Sequence, residues 1–578
     1  MSKKTKFYEM ALELLRGTFE EEGIADESVR NMTPDRFLDV LGKIEEEGFL
    51  YALDSEVAAA LYGDAVDEKR CIDASPVSES ISTWHHESIK ISGSEKTFEI
   101  RFHTGSPVEI RLMRLLPGED GKNYSSNGKI TMARFATDIN GELTVKLVCG
   151  KYLARISKGS EYTIREDIIE GREGDRLERT YTLSKFADID YLAGDLHHHS
   201  VFSSPAYGGT DDVIEEPLTI RDSMMAMGLS WGALSDHHNV LNHEEWKECR
   251  KEDFFPLISK EISTSNGHVM QLGVDKDVIY DIPDDANRTD EVLRNEFKRV
   301  TAEIKKEGGL PQLNHPCDRQ KSISWNPNFY DLINIFETVE IWNGSHPFTT
   351  GTTDDNAYHL WQRLLKEGRF IPATCGSDTH NIHADDYHLF FDEMMQVSRF
   401  ISEDRLKWEK TYPDFCHVLN LIITKICPTY EKWLENSLTT GCVRTYVKVE
   451  KEALSKLSYN EAMQKLLGAL RAGRSFLTNG PLLFAKICEA RGSKKGKAFE
   501  ITLISNRPLD KLLIMTEDGL YKEVGLDSDK TRRESKEGEL PWYDYSMNLE
   551  EEINSKYVYF RAMSDYTNQA ITNPYSLK

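Results

Sequence analysis

The segment DYLAGDLHHHS (190–200) joins a short apolar run to three consecutive histidines. Because side chains alternate along an extended chain, His197 and His199 point to one side and His198 points to the other. We therefore predict that His197 and His199 are a pair of metal ligands. His198 is predicted to be a neighbour that does not bind the metal.

Six further apolar runs end in, or contain, residues of the kinds that bind metals. They supply Asp236, His237, Glu261, His268, His315, Glu340, Asn343, Asp378 and His380. Thirteen of the 17 histidines fall between His197 and His388. Taken alone, each motif also fits a structural role such as a turn or a helix cap. Their succession, each with an apolar run, indicates one metal centre.

The stretch from 186 to 485 alternates short apolar runs with helical segments, which is typical of an α/β domain. In a barrel of parallel strands, the residues at the carboxyl ends of the strands meet at one mouth. This geometry would bring ligands that are distant in sequence into one site. Imidazole and carboxylate ligands together suit zinc, manganese or iron.

Three regions flank or interrupt this domain. Residues 1–90 are predicted to form a helical segment, with Thr33 as an N-cap and Pro34 as the first helical residue. Residues 91–185 alternate apolar and polar side chains as in an antiparallel β-sandwich, and residues 486–578 predict a small C-terminal β-domain. A mainly helical insertion, 384–440, follows the GSDTH motif, and we expect it to cover the site as a lid.

The overall composition excludes several classes of protein. The formal net charge of -25 disfavours binding to nucleic acids. The nine cysteines are scattered and odd in number, which argues against a disulfide framework. No apolar run approaches the ~20 residues that span a bilayer. We expect a cytoplasmic protein that acts on a small molecule, and the sequence leaves room for a homo-oligomer.

The order of the motifs resembles the PHP family, named for its polymerase and histidinol phosphatase members. GKYLARISKGSEY (150–162) and LGALRAGRSFLTNGPLL (467–483) are similar to the carbaryl-hydrolase-like branch of that family. The resemblance implies a distorted (β/α)7 barrel with a centre of two or three divalent metal ions, either zinc, manganese or iron. The ligands that it implies are His197, His199, His237, Glu261, His268, His315, Asp378 and His380.

In one respect the sequence departs from the family pattern. Many PHP proteins have an aspartate or histidine about five residues after the second histidine, whereas HSVFSSP (199–205) places Ser204 and Pro205 there. Asp211 and Asp212 follow, but at a different spacing. We therefore expect a dinuclear centre rather than a trinuclear one.

The predicted chemistry is hydrolysis by a hydroxide that bridges two metals. Glu261 is expected to bridge the metals, and Asp236 to orient a ligand histidine. His237 or His380, where it does not bind a metal, would protonate the leaving group.

Three arginines are candidate ligands for an anionic substrate, since guanidinium binds phosphate in a bidentate manner. They are Arg444, Arg471 and Arg474. Arg471 and Arg474 also fall at the end of a predicted helix, where cations are favourable in any case. Their role is therefore open.

Three functions fit these observations. The first is a phosphoesterase that acts on a small phosphorylated metabolite. The second is a carboxylic ester or carbamate hydrolase with the same metal centre. The third is a non-catalytic binding protein on a degenerate PHP barrel.

Overall fold

The computed structural model describes most of the chain. The described residues are 24–47, 96–115, 133–186, 189–209, 211, 213, 215–318, 321–344, 353–380, 404–426, 440–489, 497–564 and 568–577, with single residues in 8–19 and 394–402. Within these ranges, no helix is both long enough and apolar enough to cross a membrane.

The region after the N-terminal helices consists of two sheets that share an apolar core. The strands are β1 Thr97–His103, β2 Glu109–Leu115, β3 Ala133–Ala136, β4 Glu142–Val148, β5 Gly150–Ser157, β6 Arg165–Gly171 and β7 Arg176–Thr180. The strand orders are β4-β1-β7 and β3-β2-β5-β6. Ile100 and Phe102 of the first sheet are buried together with Ile110 and Tyr152 of the second. Two packed sheets thus occupy the region predicted to be a β-sandwich, although β1 and β7 are parallel.

The strands that position the candidate site belong to a larger, central sheet. They are β8 Leu192–Asp195, β9 Trp231–Leu234, β10 Phe255–Ile262, β11 His268–Leu272, β12 Leu310–Asn314, β13 Thr338–Asn343, β14 Ala373–Gly376, β15 Arg444–Val447 and β16 Ser475–Thr478. Their order is β14-β13-β12-β11-β10-β9-β8-β15-β16. These strands are buried along almost their whole length. Such burial is typical of strands whose two faces are both covered.

Helices connect many of these strands and bury their apolar faces. They are Pro217–Ala226, His243–Glu248, Asp290–Lys306, Thr353–Lys366, Lys451–Lys456 and Tyr459–Arg471, and a 3-10 helix spans Pro327–Ile335. In Asp290–Lys306, the buried residues Leu293, Phe297, Val300 and Ile304 recur at helical spacing. This places one stripe of the helix in the core and leaves the charged face in solvent.

The strands of the central sheet are not all parallel. β8, β9 and β10 are parallel, as are β12, β13 and β14. β11, however, is antiparallel to both neighbours, because the few residues between β10 and β11 can make only a hairpin. The two ends of this curved array approach at a bridge between His198 and Thr379, but no ladder joins β8 to β14 within the described residues. The mixed α/β class is confirmed, whereas a closed barrel is not.

The C-terminal strands extend the central sheet and add a second one. They are β17 Leu482–Glu489, β18 Lys497–Ser505, β19 Lys511–Thr516, β20 Gly519–Gly525, β21 Arg532–Arg533, β22 Trp542–Asp544, β23 Met547–Glu551, β24 Tyr557–Ser564, β25 Asn568–Thr572 and β26 Tyr575–Ser576, with a short helix at Ser528–Thr531. β25, β24, β19 and β20 continue from β16, while β17, β18, β21, β22 and β23 form the other sheet. The C-terminal region therefore shares main-chain hydrogen bonds with the site-bearing sheet.

The N-terminal helices and the insertion pack against each other. The helices are Glu27–Asn31 and Pro34–Glu46 near the N-terminus, and Arg405–Thr411, Pro413–Leu421 and a π-helical turn at Ile422–Ile426 in the insertion. The rings of Phe37 and Phe415 lie 4.6 Å apart, and Arg36 forms an ion pair with Asp414 at 2.7 Å. Residues 381–393, on which the predicted lid depends, lie outside the described residues, so the lid stays a prediction.

Candidate metal centre

The predicted ligands come together at one end of the central sheet. His197, His237, His315 and Asp378 each lie just beyond the carboxyl end of a strand. His268 is the first residue of β11, and because β11 is antiparallel its beginning lies at the same end. All eight predicted ligands and Asp211 fall into four interlocking groups, each with donor atoms within 4.8 Å of one another: His199, Asp211, His237 and His380; His197, His315 and Asp378; His197, His199 and Glu261; and Glu261, His268 and His315.

Glu261 lies between two sets of histidines. Its Oε1 is 3.2 Å from both His268 Nδ1 and His315 Nε2. Its Oε2 is 3.3 Å from His237 Nδ1 and 3.7 Å from His199 Nε2. Glu261 accordingly belongs to two of the four candidate ligand groups.

Three of the histidines are held so that Nε2 faces the centre. The carboxylate of Glu340 lies 3.1 Å from His197 Nδ1, and the main-chain oxygen of Asp378 lies 2.8 Å from His380 Nδ1. His199 Nδ1 lies 2.9 Å from Ser203 Oγ. When each Nδ1–H donates to its partner, Nε2 carries the lone pair, which is the usual state of a metal-binding histidine.

Asp236 acts on the site through a serine. Ser203 Oγ donates to Asp236 Oδ1 at 2.7 Å, which leaves the oxygen of Ser203 to accept from His199 Nδ1. Asp236 also accepts from Ser200 and from Asn242. The carboxylate does not belong to any ligand group, so the prediction that Asp236 orients a ligand histidine agrees with its position.

Glu340 has a role that the sequence did not indicate. The sequence marks it only as a residue of ligand type, whereas its carboxylate holds His197 and accepts from the main-chain nitrogen of His315 at 3.0 Å. Asn343 donates to both Glu340 and Asp378, at 3.1 Å each. The sequence alone did not distinguish a carboxylate that orients a ligand histidine from one that binds the metal.

Asp211 lies in the candidate site although its spacing from His199 departs from the family pattern. Its Oδ2 lies 2.7 Å from His237 Nε2 and 3.3 Å from His380 Nε2. The loop after His199 folds back on itself, and the main-chain nitrogen of Asp211 donates to Ser203 at 3.2 Å. Spacing in sequence is not informative across such a loop. Asp212, the other candidate, lies outside the described residues.

The main chain is strained where ligands leave the strands. Asp378 and His315 have φ values of 50° and 23°, and His238, next to His237, has a φ of 63°. Positive φ is costly for residues other than glycine and is concentrated at functional sites. The backbone is therefore in an unfavourable conformation just after three strands, at or next to candidate metal ligands.

Burial and charge at the site fit a metal. Burial raises the pKa of the Glu261 carboxyl, but the adjacent His197 and His268 outweigh this effect and hold it well below its ordinary value. Within the described part of the chain, His197 Nε2 and His315 Nδ1 are buried without a hydrogen-bond partner. Both residues belong to groups that could hold a metal ion.

His198 is engaged elsewhere, as the alternation of side chains predicts. Its Nδ1 lies 2.8 Å from the main-chain oxygen of His199, and its Nε2 lies 3.1 Å from Thr440 Oγ1. Burial lowers the pKa of His198 to about 3, so this imidazole is neutral. It does not belong to any of the ligand groups.

The three arginines do not lie among the candidate ligands. Arg471 forms an ion pair with Glu337 at 2.6 Å and donates to Gly309, both of which precede strands at the opposite end of the sheet. Arg474 is exposed and immediately precedes β16, also at that far end. Arg444 donates to the main-chain oxygens of Gly441 and Met227. The prediction that these three residues bind substrate stays a prediction.

No protein-family model matches this chain, and no curated protein resembles it in sequence. Among solved structures, one similar protein is a two-domain protein from Bacteroides vulgatus containing a predicted PHP-like metal-dependent phosphoesterase. It has 15% identity and a TM-score of 0.29, with 67% of this chain and 95% of that chain covered. An amidohydrolase from Chromobacterium violaceum with bound sulfate and no metal has 17% identity and a TM-score of 0.21, with 32% and 87% covered. At these scores, neither likeness carries a conclusion about this chain.

Proposed function

We propose that this protein is a metal-dependent hydrolase, and more specifically a phosphoesterase that acts on a small phosphorylated metabolite. The observation that carries the proposal is the position of Glu261, whose two oxygens face different histidines. Two or three metals held around such a carboxylate supply an activated water and polarise a substrate oxygen.

The candidate ligands divide into three metal positions in this proposal. His268 and His315 would hold one metal with Glu261, and His197 with Asp378 would hold a second. The group His199, Asp211, His237 and His380 offers a third position. Glu340 and Ser203 fix the ring orientation of His197 and His199, and thereby prevent the ligands from reorganising during the reaction.

The substrate would approach from the side of His380. The side chain of His380 is 38% exposed, whereas those of His197 and Glu261 are almost completely buried. The predicted role of His380 in protonating the leaving group is compatible with this exposure, if His380 does not bind a metal.

Metal content tests the first part of the proposal. We expect the purified protein to contain two or more equivalents of zinc, manganese or iron by mass spectrometry, and Glu261→Ala to lose most of them. Glu291→Ala, on the exposed first turn of the helix Asp290–Lys306, is the control and should keep its metal. A wild-type protein that contains no metal, and binds none when metal is added, would contradict the proposal.

Substrate class is tested separately with the metal-loaded protein. We expect turnover of p-nitrophenyl phosphate to exceed that of p-nitrophenyl acetate, with a dependence on added manganese. The reverse preference would identify a carboxylic ester hydrolase with the same centre. Turnover of neither substrate would favour the binding-protein alternative.

A further inference from the structure

A polar cavity lies where the β-sandwich, the central sheet and the C-terminal strands meet. Its volume is about 60 Å³, and its walls come from β2, β5, the start of β15 and the turns around 479–480 and 505–507. None of the lining residues belongs to the candidate metal ligands. The cavity is therefore a site of its own.

Like charges face each other in this cavity. Arg111 of β2 pairs directly opposite Arg155 of β5, and their side chains are only 4% and 11% exposed. Like charges in opposed positions destabilise a sheet, and buried charges are costly unless compensated. Arg111 donates to Glu109 at 2.7 Å and Arg155 donates to Glu166 at 2.9 Å, so a carboxylate offsets part of each charge.

Two further arginines add to this charge. Arg444 and Arg507 line the same cavity, which gives its wall four arginines and one carboxylate, Glu109. Among the residues that line the cavity, arginines thus outnumber carboxylates, although the chain as a whole carries a net charge of -25. A bound anion would offset the repulsion among the guanidinium groups.

The guanidinium of Arg444 is fixed in place by main-chain oxygens. It donates to Gly441 at 2.7 Å and to Met227 at 2.8 Å. A Cβ on Gly159 would lie 2.3 Å from Arg444 Nη1, so the close approach of this loop requires glycine. Since these acceptors are uncharged carbonyl oxygens, they do not neutralise the positive charge of Arg444.

We propose that this cavity binds a small anion, namely phosphate or the phosphate group of a small metabolite. The volume of about 60 Å³ is well below the ~300–1,000 Å³ of pockets for drug-sized ligands, so the cavity suits a small anionic group rather than a large molecule. Guanidinium groups match phosphate oxygens in a bidentate manner, and the side chains of Asn479, Asn568 and Ser157 add polar groups to the wall. The proposal does not depend on hydrolytic activity at the metal centre.

Calorimetric titration of the metal-loaded, full-length protein with inorganic phosphate tests this site. Arg507→Gln, at a half-buried turn, should weaken phosphate binding about tenfold, the effect of one lost charged hydrogen bond. Arg155→Lys keeps the charge but loses the planar fork, and should also weaken binding. Arg172→Gln is the control, because the Arg172 side chain is 85% exposed and lies outside the cavity.

The Glu261→Ala variant separates this site from the metal centre. Phosphate binding that persists in Glu261→Ala and weakens in Arg507→Gln supports the proposal. Binding that is lost in Glu261→Ala and unchanged in both arginine variants overturns it, as does the absence of binding. Crystals soaked in tungstate, a heavy analogue of phosphate, should show anomalous scattering beside Arg111 and Arg155. Tungstate found only at the metal ligands contradicts the proposal.

Discussion

Asp211 Oδ2 lies 2.7 Å from His237 Nε2, although Asp211 belongs to a loop and His237 follows β9. The same oxygen is 3.3 Å from His380 Nε2. This contact completes a group of three imidazoles and one carboxylate, which is a sufficient ligand set for a divalent cation. The loop therefore contributes a candidate metal position that the strands alone do not form.

Replacing Asp211 by Asn should remove about one metal equivalent per chain while leaving the others bound, because the amide keeps the volume but loses the charge. Mass spectrometry of the purified variant measures this directly. Asp253→Asn, at an exposed turn, is the matched control. Full metal content in Asp211→Asn would show that this carboxylate is not a ligand.

Replacing Glu340 by Gln should weaken metal binding at the position of His197. The carboxylate of Glu340 accepts from His197 Nδ1, and loss of such an orienting partner typically costs about 10–100-fold in metal affinity. Competition with a chelator of known affinity measures the change. Glu337→Gln lies before the same strand and pairs with Arg471, so it should leave the metal affinity unchanged. Equal effects of the two variants would contradict a specific role of Glu340.

Replacing Gly376 by Ala should disrupt the ligand His197. A Cβ at this position would lie 2.4 Å from His197 Cβ and 2.7 Å from its main-chain nitrogen, and overpacking of this kind costs about 1–3 kcal/mol. We expect a lower melting temperature together with a loss of metal. Gly42→Ala, in the helix Pro34–Glu46 with nothing within 4 Å, should instead raise the stability by up to about 1 kcal/mol. A stable, metal-replete Gly376→Ala variant would show that the strand ends can move apart.

The sequence was most informative about side chains at the ends of strands. All eight predicted ligands lie in the structural groups, because apolar runs ending in His or Asp mark both the strand and its end. The absence of His198 from these groups was predicted from the alternation of side chains along an extended chain. By contrast, Asp211 reaches the site through loop conformation, which no periodicity encodes.

Long-range topology was the least predictable part of the fold. The antiparallel β11 and the pairing of β16 with β25 cannot be read from local patterns, because strand direction and partner depend on connections throughout the chain. The positions of Arg471 and Arg474 at the far end of the strands were unpredictable for a similar reason. Arg471 matches the residue type of a phosphate ligand, but its pairing with Glu337 lies at the far end of the strands.

Replacing Phe37 by Ala should loosen the insertion as well as the N-terminal helices. Phe37 is fully buried, and its ring lies 4.8 Å from that of Tyr8 and 4.6 Å from that of Phe415. Replacing a buried phenylalanine by alanine lowers the free energy of unfolding by about 3–5 kcal/mol. Both the N-terminal helices and the insertion should be destabilised, because Phe37 contacts residues of both. Hydrogen exchange should therefore accelerate at the amides of Pro413–Leu421.

The control for this experiment is Leu406→Ala, since Leu406 is 83% exposed and contributes little packing. It should leave the exchange of Pro413–Leu421 unchanged. If Phe37→Ala accelerates exchange only in Pro34–Glu46, the two helical segments open independently. If both segments accelerate together while the metal content stays constant, the N-terminal helices and the insertion form one cooperative unit that can open without disturbing the metal centre.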